Sequence, residues 1–314
     1  MTVTYWQLLA LIAPVFILIA LGAGLRRWRM MTEQAEAGLL RVQVNVLYPC
    51  LILQTVLGNA ALRQPANLIW PPLVGFGTIV LGFAVGYYAG RALGLHVGAG
   101  LRTFACTVGI YNYGFIPIPV MESLFGRDSV GVLLVHNVGC EMAIWSVGIL
   151  VLAGLSLREG WHRVFNPVVC TLMAAVTINL AGFALPRVVM DAVNALAVCA
   201  IPLGLLIFGA TVVAYFDRPR ELLHPRTTPS ACLLRLAVLP VAFLLVAKFA
   251  PLPLELKRVL VVQAAMPSGM MPLVLARHYG GQPVIAAQII VGTTVLGVLV
   301  IPLWLRLGLA WAGG

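Results

Sequence analysis

Ten runs of apolar residues, each of about 20 residues, constrain this sequence most strongly, because a helix of that length crosses the hydrocarbon core of a bilayer. The runs cover residues 6–25, 38–57, 69–93, 102–123, 129–155, 166–185, 189–215, 230–250, 257–277 and 282–308. Only 10% of the residues are charged, whereas a soluble domain carries roughly 25%. The sequence therefore predicts an all-α polytopic membrane protein with ten transmembrane helices in a lipid bilayer.

The 20 Lys and Arg residues stand singly or in short groups between the apolar runs. This distribution is typical of loops beside membrane spans, and we predict no nucleic-acid partner. The first run has no Lys or Arg before it and RRWR (26–29) after it, the reverse of a signal peptide, so we expect it to remain as a span. With the N-terminus outside, thirteen basic residues, Arg235 among them, fall in inner loops and seven in outer loops. The positive-inside rule therefore favours both termini outside.

The spacing of prolines indicates an internal duplication. Two sets of three have nearly the same spacing, 35 and 68 residues in the first and 35 and 70 in the second: Pro14, Pro49 and Pro117, then Pro167, Pro202 and Pro272. Five spans in each copy is an odd number, so the second copy must run inverted through the membrane. We predict a first repeat over 1–155, a cytoplasmic linker over 156–165 and a second repeat over 166–314. Inverted repeats with paired broken helices are typical of transporters.

The stretch NYGFIPIP (112–119) lies where the fourth span should be continuous, although Gly and Pro both weaken a helix. QAAMPSGMMP (263–272) interrupts the ninth span at the matching place. Helix ends that face each other near the midplane present N–H groups that suit a carboxylate. The alternative is that both breaks are only packing kinks. The predicted substrate-binding residues are Asn112, Gly114, Pro117, Ser268, Gly269, Pro272 and Asn45.

Glu141 is the one carboxylate near the centre of a predicted span, 129–155. Burying its charge costs about 3 kcal/mol on insertion scales. We predict that Glu141 couples transport to a proton or cation, with Asn137 and His136 as near neighbours. The alternative is a structural hydrogen bond to a neighbouring helix. His136 and Glu141 are about 140° apart on a helix, which argues against an enzyme that uses both on one atom.

Several motifs resemble the auxin efflux carrier family, in its bacterial branch of malonate-transporter-like permeases, and more distantly the bile-acid/sodium symporters. The motifs are NVLYPCLIL (45–53), RTFACTVGIYNYGFIPIPV (102–120), PLGLLIFGA (202–210) and QAAMPSGMMPLVLA (263–276). The resemblance implies a scaffold domain, a transport domain and an elevator-type motion. It also implies that Asn112, Pro117 and Pro272 contact the substrate carboxylate. The long cytosolic loop of plant auxin carriers has no counterpart in this sequence.

The leading hypothesis is a secondary transporter of small carboxylates, with no cofactor, no metal and no enzymatic activity. A sodium-coupled organic anion symporter and a membrane-embedded enzyme or sensor are the alternatives. No arginine is expected in the centre of a span, so no fixed cation is available there to bind a second carboxylate. That expectation favours a monocarboxylate over malonate. The acid, the direction, the coupling ion and a homodimeric assembly stay open.

Overall fold

The structure, a computed structural model, describes residues 4–148, 165–214 and 224–311. These residues form helices and contain no β-strand beyond a single isolated bridge, so the all-α prediction is confirmed for them. The helices are α1 (Tyr5–Arg27), α2 (Glu33–Val56), α3 (Ala66–Ala92), α4 (Leu101–Gly109), α5 (Pro117–Phe125), α6 (Arg127–Gly148), α7 (Pro167–Leu180), α8 (Arg187–Val213), α9 (Thr227–Phe249), α10 (Leu254–Ala265), α11 (Met271–His278) and α12 (Pro283–Trp311). The predicted linker 156–165 lies outside the described residues, except for its last residue.

Seven of these helices are long and apolar enough to cross a membrane: α1, α2, α3, α6, α8, α9 and α12. Helix α7 is apolar but shorter. The predicted fourth and ninth spans each consist of two short helices, because the chain is interrupted at 110–116 and again at 266–270. The structure therefore has a break in each half of the chain, at the two places where the sequence predicted one.

Several helices begin at residues that supply the missing hydrogen-bond acceptors of a first turn. The Thr4 hydroxyl accepts from the Gln7 N–H at the start of α1, and the Gln7 side chain accepts from the Thr4 N–H in return. Asn166 caps α7 in the same way and is followed by Pro167, whose fixed backbone angle suits the first helical position. Local sequence thus places these helix starts without help from tertiary packing.

Glycines set the closest helix contacts. Gly75 and Gly139 bring α3 and α6 together, and a side chain at either position would overlap backbone of the other helix. Gly22 and Gly209 do the same for α1 and α8. Small residues let membrane helices approach closely when hydrophobic burial cannot drive their association. The result is two tight pairs, α3 with α6 and α1 with α8.

Among the described residues, three helices contain a single turn of π-helix, at Gln43–Leu47 in α2, Ile144–Gly148 in α6 and Leu234–Val238 in α9. Such turns widen the helix locally and are frequent at functional sites. Two of them are followed within two residues by a proline, Pro49 or Pro240, which has no N–H to donate. Each π turn carries a buried or half-buried polar side chain, and those of α6 and α9 lie beside the first and second breaks.

Candidate functional site

The two breaks are joined by backbone hydrogen bonds. The Asn112 N–H donates to the Pro267 carbonyl at 2.7 Å, and the Gly269 N–H donates to the Ile110 carbonyl at 2.9 Å. Peptide groups freed by a break in a membrane helix find no water in the hydrocarbon core and must be satisfied within the protein. Each break therefore supplies partners for the other, in an antiparallel pair of extended residues that we call the crossing (residues 110–112 and 267–269).

Glycine at two positions permits close approach of chains at the crossing. A Cβ on Gly269 would lie 2.7 Å from the Tyr111 carbonyl oxygen, so only glycine fits without a backbone shift. A Cβ on Gly114 would lie 2.9 Å from the Tyr48 hydroxyl. These two predicted site residues therefore allow neighbouring atoms to come close, because glycine has no side chain.

Asn112 has a double role at the first break. Its Oδ1 accepts from the Phe115 N–H at 3.1 Å and from the Ile116 N–H at 3.3 Å, which caps the turn that leads into α5. Its Nδ2 is buried and has no hydrogen-bond partner among the described residues. Pro117 stands in the first turn of α5, and Pro272 stands in the first turn of α11, as the sequence predicted. The side chain of Asn112 thus holds the turn before α5 with one atom and leaves an N–H₂ donor free.

Ser268 is the matching polar residue of the second break. Its N–H donates to the Thr293 hydroxyl at 3.2 Å, which anchors the crossing to α12. Its own Oγ is buried and has no partner within the described part of the chain. A buried polar atom without a partner is costly, and such atoms are rare in native proteins. Each break thus carries one such atom, on Asn112 in the first and on Ser268 in the second.

Polar side chains connect the crossing to α6. The Gln263 Nε2 donates to the Tyr113 carbonyl at 3.4 Å and to the Asn137 Oδ1 at 3.3 Å. The Asn137 Nδ2 donates to the same Tyr113 carbonyl at 2.8 Å. Because Tyr113 directly follows Asn112, this network fixes the residue beside the crossing from two helices at once. The predicted neighbour Asn137 is therefore placed at the break.

Glu141 reaches the first break through one hydrogen bond. Its Oε1 accepts from the Tyr113 hydroxyl at 2.6 Å, and its Oε2 accepts from the Trp145 indole N–H at 2.8 Å. The side chain of His136 is fully buried and faces Cys140 and Asn137 instead, at 3.7 and 3.5 Å. Glu141 and Asn137 therefore both contact Tyr113, whereas His136 has no hydrogen bond to Glu141.

The structure does not bring Asn45 to the crossing. Asn45 is exposed, and its Nδ2 donates to the Arg41 carbonyl one turn earlier in α2. The π turn that contains it points Gln43 inward instead, where its amide donates to the Ala200 carbonyl at 2.7 Å. An amide on the outer face of α2 meets its hydrogen-bonding needs locally. Within the ranges described, no group of three or more His, Cys, Asp or Glu side chains is arranged to hold a metal ion.

Arg235 is the residue that the sequence reasoning misplaced. It lies near the middle of α9 and is 0% exposed, so the expectations that it belongs to an inner loop and that no arginine lies in the centre of a span are wrong. Its Nε donates to the Met266 carbonyl at 2.9 Å, and its Nη2 donates to the Gln263 carbonyl at 3.2 Å. The guanidinium also lies over the ring of Tyr111, 4.9 Å from its centroid. The signal in the sequence was a charged residue at the sixth position of the apolar run 230–250.

Physical compensation explains why a cation is tolerated there. An arginine in a membrane span costs about 3 kcal/mol on insertion scales. The C-terminus of α10 carries a partial negative charge and free carbonyls, and aromatic faces attract cations by about 0.5–2 kcal/mol each. The broken helix thus creates a place for a buried guanidinium that a continuous helix would not have.

Comparison with known proteins places the chain in a family. The family model described as "Membrane transport protein" matches it twice, over residues 8–160 and 155–305. An uncharacterized transporter of Methanothermobacter thermautotrophicus is 29% identical over 301 residues, which cover 93% of this chain and 96% of that protein. An uncharacterized transporter of Methanocaldococcus jannaschii is 23% identical over 301 residues, 92% of this chain and 95% of that protein.

These matches span nearly the whole chain and define an integral membrane transport protein. The chain belongs to this membrane transport family, the auxin efflux carrier family that its motifs resemble.

Proposed function

We propose that this protein is a secondary active transporter of small organic anions and that the substrate carboxylate binds at the crossing. The observation that carries the proposal is the pair of unpartnered buried groups there, the Asn112 Nδ2 and the Ser268 Oγ. Both can donate to an oxygen, and a carboxylate has two oxygens to accept. The helix starts of α5 and α11 follow directly, and their partial positive charge favours the same ligand.

The proposed architecture has ten spans. They are the seven long helices, the shorter α7 and the two broken pairs, α4 with α5 and α10 with α11. Two successive matches to one family model support a duplication, and five spans per copy require the second to be inverted. The repeats are 1–155 and 166–314, joined by the linker 156–165.

Contacts at the starts of the broken pairs support that inversion. The Ser129 hydroxyl, at the start of α6, donates to Glu255 at 2.6 Å, at the start of α10. In the other half the Gln282 N–H, just before α12, donates to the Thr103 hydroxyl at 3.0 Å, at the start of α4. Each half thus uses its last span to hold the first half-helix of the other half, which is what an inverted pair of repeats requires.

An elevator motion fits the division of tight contacts. The broken pairs pack with α3, α6, α9 and α12, and α1, α2, α7 and α8 pack on one another, with the close α1–α8 seam among them. Helix α12 also packs on α1, and α6 on α2, where the two groups meet. We assign the first group to a transport domain and the second to a scaffold domain. The substrate would cross the membrane with the transport domain as it moves against the scaffold.

Glu141 is the proposed coupling residue. Its carboxylate is linked to the crossing by a single side chain, because Tyr113 donates to it and follows Asn112 in the chain. A proton gained or lost at Glu141 would change that hydrogen bond and with it the position of Tyr113. Asn137 and Gln263 both donate to the carbonyl of Tyr113. A change in the protonation of Glu141 would therefore act on the substrate site through Tyr113.

The proposed orientation keeps both termini outside in a bacterial inner membrane. Moving Arg235 from the inner loops into the membrane leaves twelve basic residues inside and seven outside, thirteen minus one against seven. The positive-inside rule still favours this orientation. The hydrogen bond between Thr211 and Glu36 and the ion pair between Glu36 and Arg26 lie together at this inner edge.

The test is uptake of labelled mono- and dicarboxylic acids into liposomes that hold the purified protein. Each acid is run with a proton gradient, with a sodium gradient and with neither. We expect at least one acid to accumulate, and Asn112→Ala, which removes both the cap of the turn before α5 and the free donor, to abolish its uptake. A sodium requirement would favour the alternative, a sodium-coupled symporter. Uptake that survives Asn112→Ala would place the carboxylate elsewhere and overturn the proposal.

A further inference from the structure

A fixed positive charge without an anionic partner lies at the crossing. Arg235 is fully buried, and no Asp or Glu of the described ranges lies within ion-pair distance of it. Two of its three nitrogens donate to carbonyls of the second break, those of Met266 and Gln263. The third, Nη1, is buried and has no hydrogen-bond partner there. The guanidinium is thus held in a fixed position, and its Nη1 is free to donate a hydrogen bond.

The free Nη1 belongs to the same small region as the proposed carboxylate site. Arg235 is bonded to Met266, which is two residues before Ser268, so the two backbone positions are at most about 7 Å apart. The ring that stacks on the guanidinium belongs to Tyr111, the residue before Asn112. Three unpartnered groups able to donate, on Asn112, Ser268 and Arg235, therefore belong to residues of one backbone crossing or to a side chain bonded beside it.

We propose that Arg235 binds a second anionic group of the substrate and so makes the carrier selective for short dicarboxylates over monocarboxylates. This inference rests on the proposed function, because it needs the first carboxylate to be held by Asn112 and Ser268. A guanidinium presents N–H groups in a fixed plane that match a carboxylate. Because Arg235 is bonded two residues before Ser268 in the second break, the proposed substrate has few carbons between its two carboxylates.

A purely structural role for Arg235 makes a different prediction. If the side chain only caps α10, its loss weakens the crossing and lowers transport of every acid by the same factor. If it binds the second carboxylate, its loss lowers transport of the dicarboxylate alone, because a monocarboxylate never used that contact. The ratio of kcat/KM between the two acids separates these roles, since a general loss of folded protein cancels from it.

The experiment measures kcat/KM in liposomes for malonate, succinate and glutarate, each beside its monomethyl ester, which keeps one carboxylate. With wild-type protein we expect the best diacid to exceed its half-ester by at least about tenfold, the value of one charged hydrogen bond. Arg235→Gln should reduce that ratio to near one, and Arg235→Lys should keep part of it. Arg258→Gln is the matched control, because Arg258 pairs with Glu255 away from the crossing, and it should leave the ratio unchanged.

The comparison of each diacid with its half-ester on wild-type protein still tests the inference if Arg235→Gln does not fold. A half-ester carried as well as its diacid would overturn the inference, as would an Arg235→Gln variant that lowers both acids equally. In either case the proposed function stands, because an acid is still transported. Transport of no acid, diacid or half-ester, would instead refute the proposed function, and the role of Arg235 with it.

Discussion

Gly269→Ala perturbs the crossing at the place where its two chains approach most closely. The added Cβ would lie 2.7 Å from the Tyr111 carbonyl oxygen, 3.1 Å from the Tyr111 carbonyl carbon and 3.3 Å from the Asn112 Cα. All three atoms belong to the backbone, so no side chain can rotate away. The two breaks must separate, and the hydrogen bonds of 2.7 and 2.9 Å between them lengthen or break.

The expected loss of stability follows from those two bonds. A lost hydrogen bond that leaves a buried group without a partner costs about 1–3 kcal/mol, so two such bonds predict a loss of about 2–6 kcal/mol. Gly77→Ala is the matched control, because a Cβ at Gly77, within α3, meets nothing within 4 Å. That substitution should be neutral or stabilise the helix by up to about 1 kcal/mol.

The assay is unfolding of both variants in mixed detergent micelles, together with acid uptake in liposomes. We expect Gly269→Ala to unfold at clearly lower denaturant and to lose transport, and Gly77→Ala to behave as the wild type does. A Gly269→Ala protein as stable and as active as Gly77→Ala would show that the crossing does not depend on this close approach.

Two further substitutions test the surroundings of the site. Glu141→Gln should abolish the stimulation of uptake by a proton gradient while uptake by counterflow persists, and unchanged stimulation would exclude Glu141 as the coupling residue. Glu255→Gln removes the half-buried ion pair with Arg258 but keeps an oxygen for the Ser129 hydroxyl, so the free energy of unfolding should fall by only about 1 kcal/mol or less. A loss as large as that of Gly269→Ala would mean that this edge contact, not the crossing, carries the stability.

The sequence predicted the helical class and the two breaks because both depend on strong local signals. Apolar runs of about 20 residues mark spans, and Gly with Pro marks where a helix cannot continue. The match between GFIP at 114–117 and GMMP at 269–272 also indicated that the breaks are related. No local signal indicated which group would form a hydrogen bond with each freed peptide group. That partner lies in a chain segment more than 150 residues away.

The polar contacts were harder to predict because they depend on which face of a helix turns inward. Asn45 and Gln43 are two residues apart in α2, and the π turn directs Gln43 inward and leaves Asn45 exposed. The count of basic residues put Arg235 in an inner loop, although it lies within the apolar run 230–250. Its partners are backbone carbonyls of the second break, Met266 and Gln263, and a sequence does not show where such carbonyls become free.

Asn112→Asp tests the central claim most directly, because it separates the two roles of this side chain. Asp caps such a turn as well as Asn does, so the bonds from Phe115 and Ile116 can persist and the fold should be retained. The free N–H₂ donor, however, is replaced by an oxygen that repels a carboxylate. The measurement is equilibrium binding, at mildly alkaline pH, of the acid that the uptake panel identifies. We predict a folded protein that has lost binding and is less stable to heat, because a buried carboxylate costs more than an amide. An Asn112→Asp protein that binds the acid as the wild type does would contradict a carboxylate site at the crossing.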